Sequence, residues 1–480
     1  LQDMGERIIW PGLTYAHMHL QHYALSMQQE SCETDTLAEC LQRVEKCADN
    51  TKKGDWITGW GWNQNSWSGG FGNARDLDHV APHHPTLLHA KSGHASWANT
   101  LALNKAGITS DTPDPEGGVI QRDEAGEATG ILFENATELV SSVKPEPSVD
   151  EVKEALLEAQ SKLWQLGLTG LHDFDGPILF SALQLLNNDA RLKLRVLKSI
   201  PLRMMPKAIE LGLRTGFGNG FLKIGSIKVF SDGALGPQTA AMIEPFENTD
   251  GEHGILLMNC EQFFEYGKKA AMNGLSLAVH AIGDLANREV LDGFEKIRSF
   301  ENEHNLPRLR HRIEHVQLLH PDDQNRLSEL GIIASMQPIH TTSDIMIADK
   351  FWGERSKGAY IFRTLKENGT RLAFGSDAPV ETPNPFVGLH AAVTRRRADG
   401  TPGPDGWHPE QRIDLKSALS NFTIGAAFAS HSENKLGMLA PGFYADLIVL
   451  AYDPFSVPQS ELKDFSPEAT MVAGEWVWQA

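Results

Sequence analysis

The chain has 480 residues, 41% of them apolar, and its 43 basic and 62 acidic side chains give a formal net charge of −19 at pH 7. Nucleic-acid binding is therefore not expected, because contact with phosphate groups needs a positively charged face. No apolar run reaches the ~18 residues of a membrane helix, and no signal peptide is visible at the start. We therefore predict a cytoplasmic protein with enough apolar residues for one large barrel or for two or three smaller domains.

The cysteines indicate the redox compartment. Three of the four fall between residues 32 and 47, and no Cys-x-x-Cys pair occurs. A disulfide or a zinc site is the alternative, but we favour buried free thiols in a reducing compartment. The four residues are Cys32, Cys40, Cys47 and Cys260.

Residues 11–19 have the pattern of a short buried strand that ends in two histidines separated by one residue. Side chains alternate between the two faces of a strand, so His17 and His19 are expected to point the same way, with Tyr15 on their face. Two neutral imidazoles on one face can bind a metal ion such as zinc. On this stretch alone the alternative, two polar residues at a strand end, stays open.

A long insertion, residues 33–147, separates this strand from the next strand of the core. Its predicted elements are a helix over 33–50, an extended segment at 56–62, a strand at 85–90 and a loop at 111–130. Residues 63–72 are rich in Asn, Ser, Gly and Trp, and they either cover a pocket or form a surface loop. Tryptophans suggest a pocket for apolar or aromatic groups, although they fill cores at least as often. These tryptophans are Trp60, Trp62, Trp67 and Trp97.

From residue 148 onward the chain alternates between amphipathic helices and short apolar strands. Ser148 opens a capping box, apolar residues follow at helical spacing, and Gly167 can end the helix before a buried strand. The same unit of helix, glycine and strand recurs at Gly274, Gly331 and Gly369. This alternation predicts an α/β fold with a parallel sheet covered by helices. Eight core strands begin near residues 9, 168, 192, 224, 275, 312, 332 and 371, and eight strands close a (β/α)8 TIM-like barrel.

The C-terminal residues depart from this pattern. They predict short strands at 445–450 and 470–477. Two or three strands do not form a stable sheet alone, so these strands need partners. We expect the N-terminal half of this small β-sandwich appendage to be missing from the chain. The predicted division is a barrel over 8–430, with its insertion, and an appendage over 431–480.

Six side chains that can bind cations lie at strand ends of the predicted barrel, the face where barrel enzymes place their active sites. Each has a structural alternative: a strand-end histidine is commonly a hydrogen-bonded core residue, a buried lysine needs a partner, and a strand-end aspartate can cap the next helix. Together they favour a site for one or two divalent ions. The six residues are His17, His19, Lys228, His280, His315 and Asp377.

The motifs around these residues resemble the amidohydrolase superfamily, and within it the amidohydrolase 3 branch that includes N-substituted formamide deformylases. The resemblance covers nearly the whole chain, and the combination of motifs is specific although no single motif is. The matching motifs are Pro-Gly-x-x-x-x-His-x-His at 11–19, Ser-Gly-His at 92–94, Ile-Lys-Val-Phe-Ser-Asp-Gly-Ala-Leu-Gly at 227–236, His-Ala-Ile-Gly-Asp at 280–284, Arg-Ile-Glu-His at 312–315 and Phe-Gly-Ser-Asp-Ala-Pro at 374–379.

This resemblance implies the metal ligands. His17, His19 and Asp377 would bind one divalent ion, with zinc as the expected metal, and His280 and His315 would bind a second. Lys228 would be carbamylated by CO₂, which turns a buried cation into a bridging carboxylate.

The resemblance also implies the chemistry. A metal-activated water, with its pKa lowered toward ~7, would be the nucleophile. Asp377 would accept its proton and pass it to the leaving nitrogen. His94 in Ser-Gly-His would be a further donor to the scissile carbonyl, and Asp232 and Asp284 would orient metal ligands from outside the site. One departure is Tyr15, which stands where the family usually has Asp, so the floor of the pocket could differ.

The sequence therefore predicts a metal-dependent hydrolase of a C–N bond, in an amide or N-formyl group on a small organic molecule. One alternative keeps the same site but cleaves esters, lactones or phosphoesters. Another is a non-catalytic regulatory or binding protein on this scaffold. We expect a small-molecule substrate, no nucleic-acid or membrane partner, and a homodimer as one open arrangement.

Overall fold

The computed structural model describes residues 4–27 and 29–480. In these ranges the largest sheet has eight parallel strands, each hydrogen-bonded to its neighbour in chain order. In that order the barrel strands 1 to 8 are Leu13–Met18, Leu168–Asp173, Arg195–Pro201, Leu222–Phe230, Leu277–Ala281, Arg312–His315, Ile333–Met336 and Leu372–Phe374. Backbone hydrogen bonds from His19 N to Ala378 O (2.9 Å) and from Asp377 N to His17 O (3.1 Å) join the two ends of the sheet. The sheet is thus a nearly closed barrel, which confirms the predicted TIM-like fold.

Helices connect the barrel strands and pack their apolar faces on the outside of the sheet. The predicted helix after Ser148 is confirmed, with its capping box formed by Ser148 and Glu151. All four glycines expected to end helices have positive φ, between 64° and 85°, a conformation that only glycine adopts without strain. The helices of this layer are Leu20–Ser26, Val149–Gln165, Pro177–Asn188, Met205–Glu210, Cys260–Met272, Asp284–Glu303, Arg326–Leu330, Pro338–Ser343, Ile345–Trp352, Phe362–Glu367, Pro385–Thr394, Leu415–Ser420 and Ala426–Ala429.

The insertion after barrel strand 1 forms a separate sheet of six strands. The predicted loop at 111–130 is wrong in part, because Gly118–Arg122 pairs with Ala128–Glu134 as an antiparallel hairpin. Trp62, Trp67 and Trp97 are buried together in the core of this unit, so these three tryptophans support packing. The strands are Glu30–Ser31, Ile57–Trp62, Thr86–Ala90, Ala95–Ala98, Gly118–Arg122 and Ala128–Glu134, and the helices are Leu37–Asn50, Ala74–Val80, Thr100–Lys105 and Thr137–Ser141. The four cysteines are free, and two of them, Cys32 and Cys40, are buried.

The C-terminal appendage is an antiparallel sheet that also takes in the start of the described chain. Ile8–Pro11 pairs with Leu447–Leu450, which corrects two expectations: barrel strand 1 begins at Leu13 rather than near residue 9, and the appendage has an N-terminal strand. The strand expected over 470–477 is a hairpin of Ala469–Val472 and Glu475–Gln479. Ala473 and Gly474 both have positive φ, as in the two-residue turns that join antiparallel strands.

Within the described residues, no helix combines the length and the apolar character needed to cross a membrane.

Candidate metal centre and active site

Three predicted ligands converge at the carboxyl end of the barrel. His17 Nε2 lies 3.3 Å and His19 Nε2 lies 3.6 Å from the same atom, Asp377 Oδ1. An ion with tetrahedral bonds of about 2.1 Å separates its ligand atoms by about 3.4 Å. His17 Nε2 and Asp377 Oδ1 are both buried and lack a hydrogen-bond partner. These unpaired atoms and their spacing fit a divalent cation, which would satisfy both of them.

A carboxylate from another strand holds each of these histidines by its other ring nitrogen. His17 Nδ1 donates to Glu314 Oε2 at 2.7 Å, and His19 Nδ1 donates to Asp175 Oδ1 at 2.7 Å. These hydrogen bonds fix the tautomer that leaves each Nε2 lone pair free for a metal. Burial opposes ionisation of Glu314, but the charge of Arg312 and the hydrogen bond from His17 outweigh it and hold the pKa of Glu314 well below its usual range.

His280 and His315 form a second pair beside the first, with ring centroids 4.6 Å apart. His315 Nδ1 donates to Gln337 Oε1 at 2.8 Å, which leaves Nε2 as its ligand atom. His280 Nε2 donates to the carbonyl of Gly233 at 2.9 Å, which leaves Nδ1. Burial and the neighbouring histidines lower the pKa of both rings well below the usual value. Both imidazoles are therefore neutral, the form that binds metals.

Lys228 lies on barrel strand 4 and is 3% exposed. Its Nζ lies 4.6 Å from the ring centroid of Phe174 and 4.7 Å from that of Phe230. Burial lowers the pKa of Lys228 to about 8. An ammonium has no lone pair, so Lys228 can bind a metal only after it loses its proton or is converted to an anion.

His340 is a site residue that the sequence reasoning missed. It lies in the helix after barrel strand 7, is 6% exposed, and its Nε2 is 3.4 Å from Asp377 Oδ2. Its Nδ1 is 3.8 Å from Glu381 Oε1. Burial disfavours the imidazolium, but the hydrogen bond with Asp377 and the negative charges of Asp377 and Glu381 outweigh it and raise the pKa of His340 to about 10. The two oxygens of Asp377 thus face different histidines.

His94 comes from the insertion and reaches the same site. Its ring centroid is 5.1 Å from that of His280. Its Nδ1 donates to Glu134 Oε2 at 2.9 Å, and Glu134 Oε1 accepts a hydrogen bond from Thr239 Oγ1 at 2.5 Å. Burial opposes protonation, but Glu134 and nearby carboxylates raise the pKa of His94. The structure therefore brings all seven predicted site residues to one end of the barrel.

Tyr15 does not share the face of the two strand-1 histidines, which corrects the expectation from simple alternation. The pairing register with barrel strand 2 shifts between Tyr15 and Met18, and such a bulge reverses the facing of the residues beyond it. The Tyr15 hydroxyl donates to the carbonyl of Pro383 at 3.0 Å, and its ring packs against Phe422. Tyr15 is a buried core residue outside the metal site.

Asp232 and Asp284 bind backbone amides of the loops around His280. Asp232 accepts from the amides of Ile282 and Gly283, and its Oδ1 lies 3.5 Å from His280 Nε2. Asp284 accepts from the amides of Ile243 and Leu285. Asp232 therefore contacts a predicted ligand, whereas Asp284 supports the loop backbone.

A cavity of about 580 Å³ opens above these side chains, between the barrel loops and the insertion. Residues 63–66 line it, together with Lys91 and Arg397, which favours a pocket cover over a surface loop for this part of the segment 63–72. A small organic molecule fits this volume. Of the four tryptophans, Trp62 borders the cavity.

The residues that orient the ligands were mostly missed in the sequence, although they follow the rule that found the ligands. Asp175 and His340 each lie a few residues beyond the end of a barrel strand, and Glu314 precedes His315 in the Arg-Ile-Glu-His motif. A search for every polar residue at a strand end would have included them.

Comparison with known proteins gives a consistent picture. A family model described as "Amidohydrolase family" matches residues 1–478. The chain is 34% identical to Protein LONG AFTER FAR-RED 3 of Arabidopsis thaliana, over 99% of this chain and 83% of the relative. It is 31% identical to the putative amidohydrolase YtcJ of Bacillus subtilis (99% and 90%), and 27% identical to the N-substituted formamide deformylase of Arthrobacter pascens (98% and 88%). Its fold matches an uncharacterized metal-dependent hydrolase from Pyrococcus horikoshii with a TM-score of 0.76 and 28% identity, over 94% of this chain and 88% of that one.

Proposed function

The chain belongs to the amidohydrolase family, and from that premise we propose that this metal-dependent hydrolase cleaves the C–N bond of an amide or N-formyl group on a small organic molecule. The observation that carries the proposal is the convergence of His17 Nε2 and His19 Nε2 on Asp377 Oδ1, at 3.3 and 3.6 Å. The likeness to a relative named N-substituted formamide deformylase supports the choice of bond.

A divalent cation, with zinc as the proposed metal, would supply a Lewis acid that polarises the scissile carbonyl and makes water a better nucleophile at neutral pH. His17, His19 and Asp377 would hold it. Glu314 and Asp175 accept the Nδ1 protons of the two imidazoles and turn each Nε2 toward the site, so the chain would supply two imidazole ligands and one carboxylate ligand.

Asp377 is the proposed base. It accepts a proton from the attacking water as the water oxygen bonds to the carbonyl carbon, and it passes that proton to the leaving nitrogen as the C–N bond breaks. His94, held by Glu134, donates a hydrogen bond to the carbonyl oxygen, which gains negative charge during attack. The products are a carboxylic acid, formic acid for an N-formyl substrate, and an amine.

Carbamylation of Lys228 is part of the proposal. The neutral amine would attack CO₂, form an N–C bond and lose a proton, which leaves a carboxylate able to bind metal beside His280 and His315. The lowered pKa of about 8 supports it, because a sizeable fraction of the side chain is then the neutral amine near pH 8. The test is ¹³C NMR of protein incubated with ¹³C-bicarbonate. The wild type should show the carbonyl carbon signal of a carbamate, and Lys228→Met should not.

The substrate proposal is tested with metal-free protein that is reloaded with zinc or manganese and assayed on N-formyl amines, N-acyl amines, and esters and phosphoesters of the same size. Metal-dependent release of an amine is expected. Asp377→Asn should lower kcat by at least about 100-fold. The matched control is Asp284→Asn, which removes a buried carboxylate that accepts hydrogen bonds from two backbone amides and should keep activity. Turnover of esters or phosphoesters alone would replace the C–N assignment.

A further inference from the structure

A separate cavity, of about 210 Å³, lies at the amino end of the barrel. Thr14, Arg195 and Lys223 line one side of it, and they lie at or next to the first residues of barrel strands 1, 3 and 4. Residues of the segment 430–436, together with Tyr444, line another side. The proposed hydrolysis uses none of these residues, because the metal centre lies at the carboxyl ends of the strands.

The charge of this cavity is opposite to that of the chain as a whole. The chain has a formal net charge of −19 at pH 7, yet the described residues that line the cavity include two lysines and an arginine and no carboxylate. Asp446 neutralises the arginine, Arg195, with its Oδ1 2.8 Å from Nη2. The two lysines donate hydrogen bonds only to neutral oxygens of the described residues: Lys223 to Ser432 Oγ and Lys435 to the carbonyl of Gly442. Two positive charges are therefore left unbalanced.

Lys223 is the partly buried lysine of this pair. Its Nζ lies 2.8 Å from Ser432 Oγ. The nearby carboxylate of Glu433 is already paired with Arg310, at 2.6 Å. Burial and the charge of Arg195 lower the pKa of Lys223. An ammonium in this position lacks a counter-charge, and an anion in the cavity would supply one.

His172 adds a neutral donor to the wall of the same cavity. It is 2% exposed, and its Nδ1 accepts a hydrogen bond from Arg312 Nη1 at 2.8 Å, since an arginine can only donate. Burial and the charge of Arg312 lower the pKa of His172 well below its usual value. The ring is therefore neutral with its proton on Nε2, for which the described residues offer no acceptor. A buried donor of this kind is expected to meet an acceptor.

The size and the charge of the cavity favour a phosphate group as its ligand. The volume of about 210 Å³ is below the ~300 Å³ at which sites for drug-sized molecules begin, so the ligand is small. A phosphate group carries about −1.5 to −2 charges at pH 7 and presents three acceptor oxygens. It can therefore balance two lysines and accept hydrogen bonds from donors on different sides, whereas a carboxylate carries a single charge.

We propose that this cavity binds a phosphate group, free or carried by a small molecule, through Lys223, Lys435 and His172 Nε2. Arg195 forms a fixed part of the wall, with its Cζ 4.9 Å from the ring centroid of Phe221 and 4.2 Å from that of Tyr444. The inference depends on neither the proposed metal nor the proposed substrate, because the two sites lie at opposite ends of the barrel.

Isothermal titration calorimetry of the full chain with inorganic phosphate, at constant ionic strength and after removal of metal, tests the site without any assay of activity. The wild type should bind one phosphate per chain. Lys223→Gln should bind it about 10- to 100-fold more weakly, the loss of one charged hydrogen bond. Lys435→Gln, at an exposed position where folding is not at risk, should also bind it more weakly. The matched control is Lys91→Gln, which removes a lysine from the cavity at the metal centre and should keep the wild-type affinity.

Two further measurements identify the source of the phosphate and its position. Tighter binding of glycerol 3-phosphate than of inorganic phosphate would indicate a phosphate carried by a small molecule, and the reverse order would indicate the free ion. Crystals soaked in selenate, a tetrahedral oxyanion with an anomalous signal, should show a peak within hydrogen-bonding distance of Lys223 Nζ.

Four results would overturn the inference: no phosphate binding by the wild type, wild-type affinity in both Lys223→Gln and Lys435→Gln, an equal loss of affinity in Lys91→Gln, or a selenate peak only outside this cavity. Binding of succinate without binding of either phosphate compound would replace the phosphate with a dicarboxylate.

Discussion

Replacement of Glu314 by glutamine tests whether outer carboxylates tune the metal centre. Glu314 is fully buried, accepts the Nδ1 proton of His17 at 2.7 Å and pairs with Arg312, whose Nη2 lies 2.9 Å from Oε2. Glutamine keeps the shape but removes the charge that makes His17 a stronger ligand. Loss of such an outer partner weakens metal binding about 10- to 100-fold, or about 1.4 to 2.7 kcal/mol.

The same change also leaves the Arg312 guanidinium buried without its counter-charge, which should lower the free energy of unfolding by about 3–5 kcal/mol. The assay must therefore separate metal affinity from stability. Glu301→Gln is the matched control, because Glu301 is 2% exposed and pairs with Arg298 at 2.6 Å, away from the metal centre.

Metal affinity is measured by competition with a chromophoric chelator, and stability by urea unfolding of the metal-free protein. Both variants should unfold at a lower urea concentration than the wild type, but only Glu314→Gln should bind metal more weakly. Unchanged metal affinity in Glu314→Gln would refute the reasoning, because Glu314 would then have no effect on the metal ligand His17. An equal loss of metal affinity in Glu301→Gln would also refute it, because weaker metal binding would then be a general effect of lower stability.

Three further predictions concern other parts of the chain. Glu134→Gln should lower kcat/KM about tenfold with metal content unchanged, because His94 loses the carboxylate that orients it. Tyr15→Phe should lower the free energy of unfolding by about 1 kcal/mol, the loss of one buried hydrogen bond, and leave the metal affinity as in the wild type. Asp414→Ala should lower the free energy of unfolding by about 1 kcal/mol at pH 7, because the Asp414 side chain caps a helix by accepting a hydrogen bond from the Ser417 amide. Partial burial opposes ionisation, but hydrogen bonds from Ser417 lower the pKa of Asp414, so this cost should shrink as pH falls below about 4.

Steady-state kinetics, chelator competition and urea unfolding between pH 3 and pH 8 check these three outcomes. Metal loss in Glu134→Gln would make Glu134 part of the metal centre. Weaker metal binding in Tyr15→Phe would contradict the placement of Tyr15 outside the metal site. A pH-independent cost in Asp414→Ala would show that the carboxylate charge contributes nothing to the cap.

The convergence of the proposed metal ligands could be predicted because of the polarity of a parallel barrel. All eight strands point the same way, so a residue at the end of any strand lies at the same mouth. His280 and His315 end strands that are adjacent in the sheet, and their rings meet at 4.6 Å. Strand ends are marked in the sequence by the change from apolar to polar residues.

The side of the sheet on which each side chain of a strand lies was harder to predict. Strict alternation put Tyr15 beside His17, but one extra residue in the pairing between Tyr15 and Met18 changed the side on which each lies. A bulge arises from the fit between two neighbouring strands, here barrel strands 1 and 2, which are about 150 residues apart in sequence. The residues of barrel strand 1 alone carry no sign of it.

The sequence by itself determined the alternation of helix and strand, the glycines that end helices and the histidines at strand ends, because each depends on residues close together in the chain. Only the tertiary structure decided which nitrogen of each histidine faces the metal centre. Glu314 orients His17 from 297 positions along the chain, and Asp175 orients His19 from 156 positions. The physical reason is that barrel closure, rather than sequence proximity, places these carboxylates within hydrogen-bonding distance.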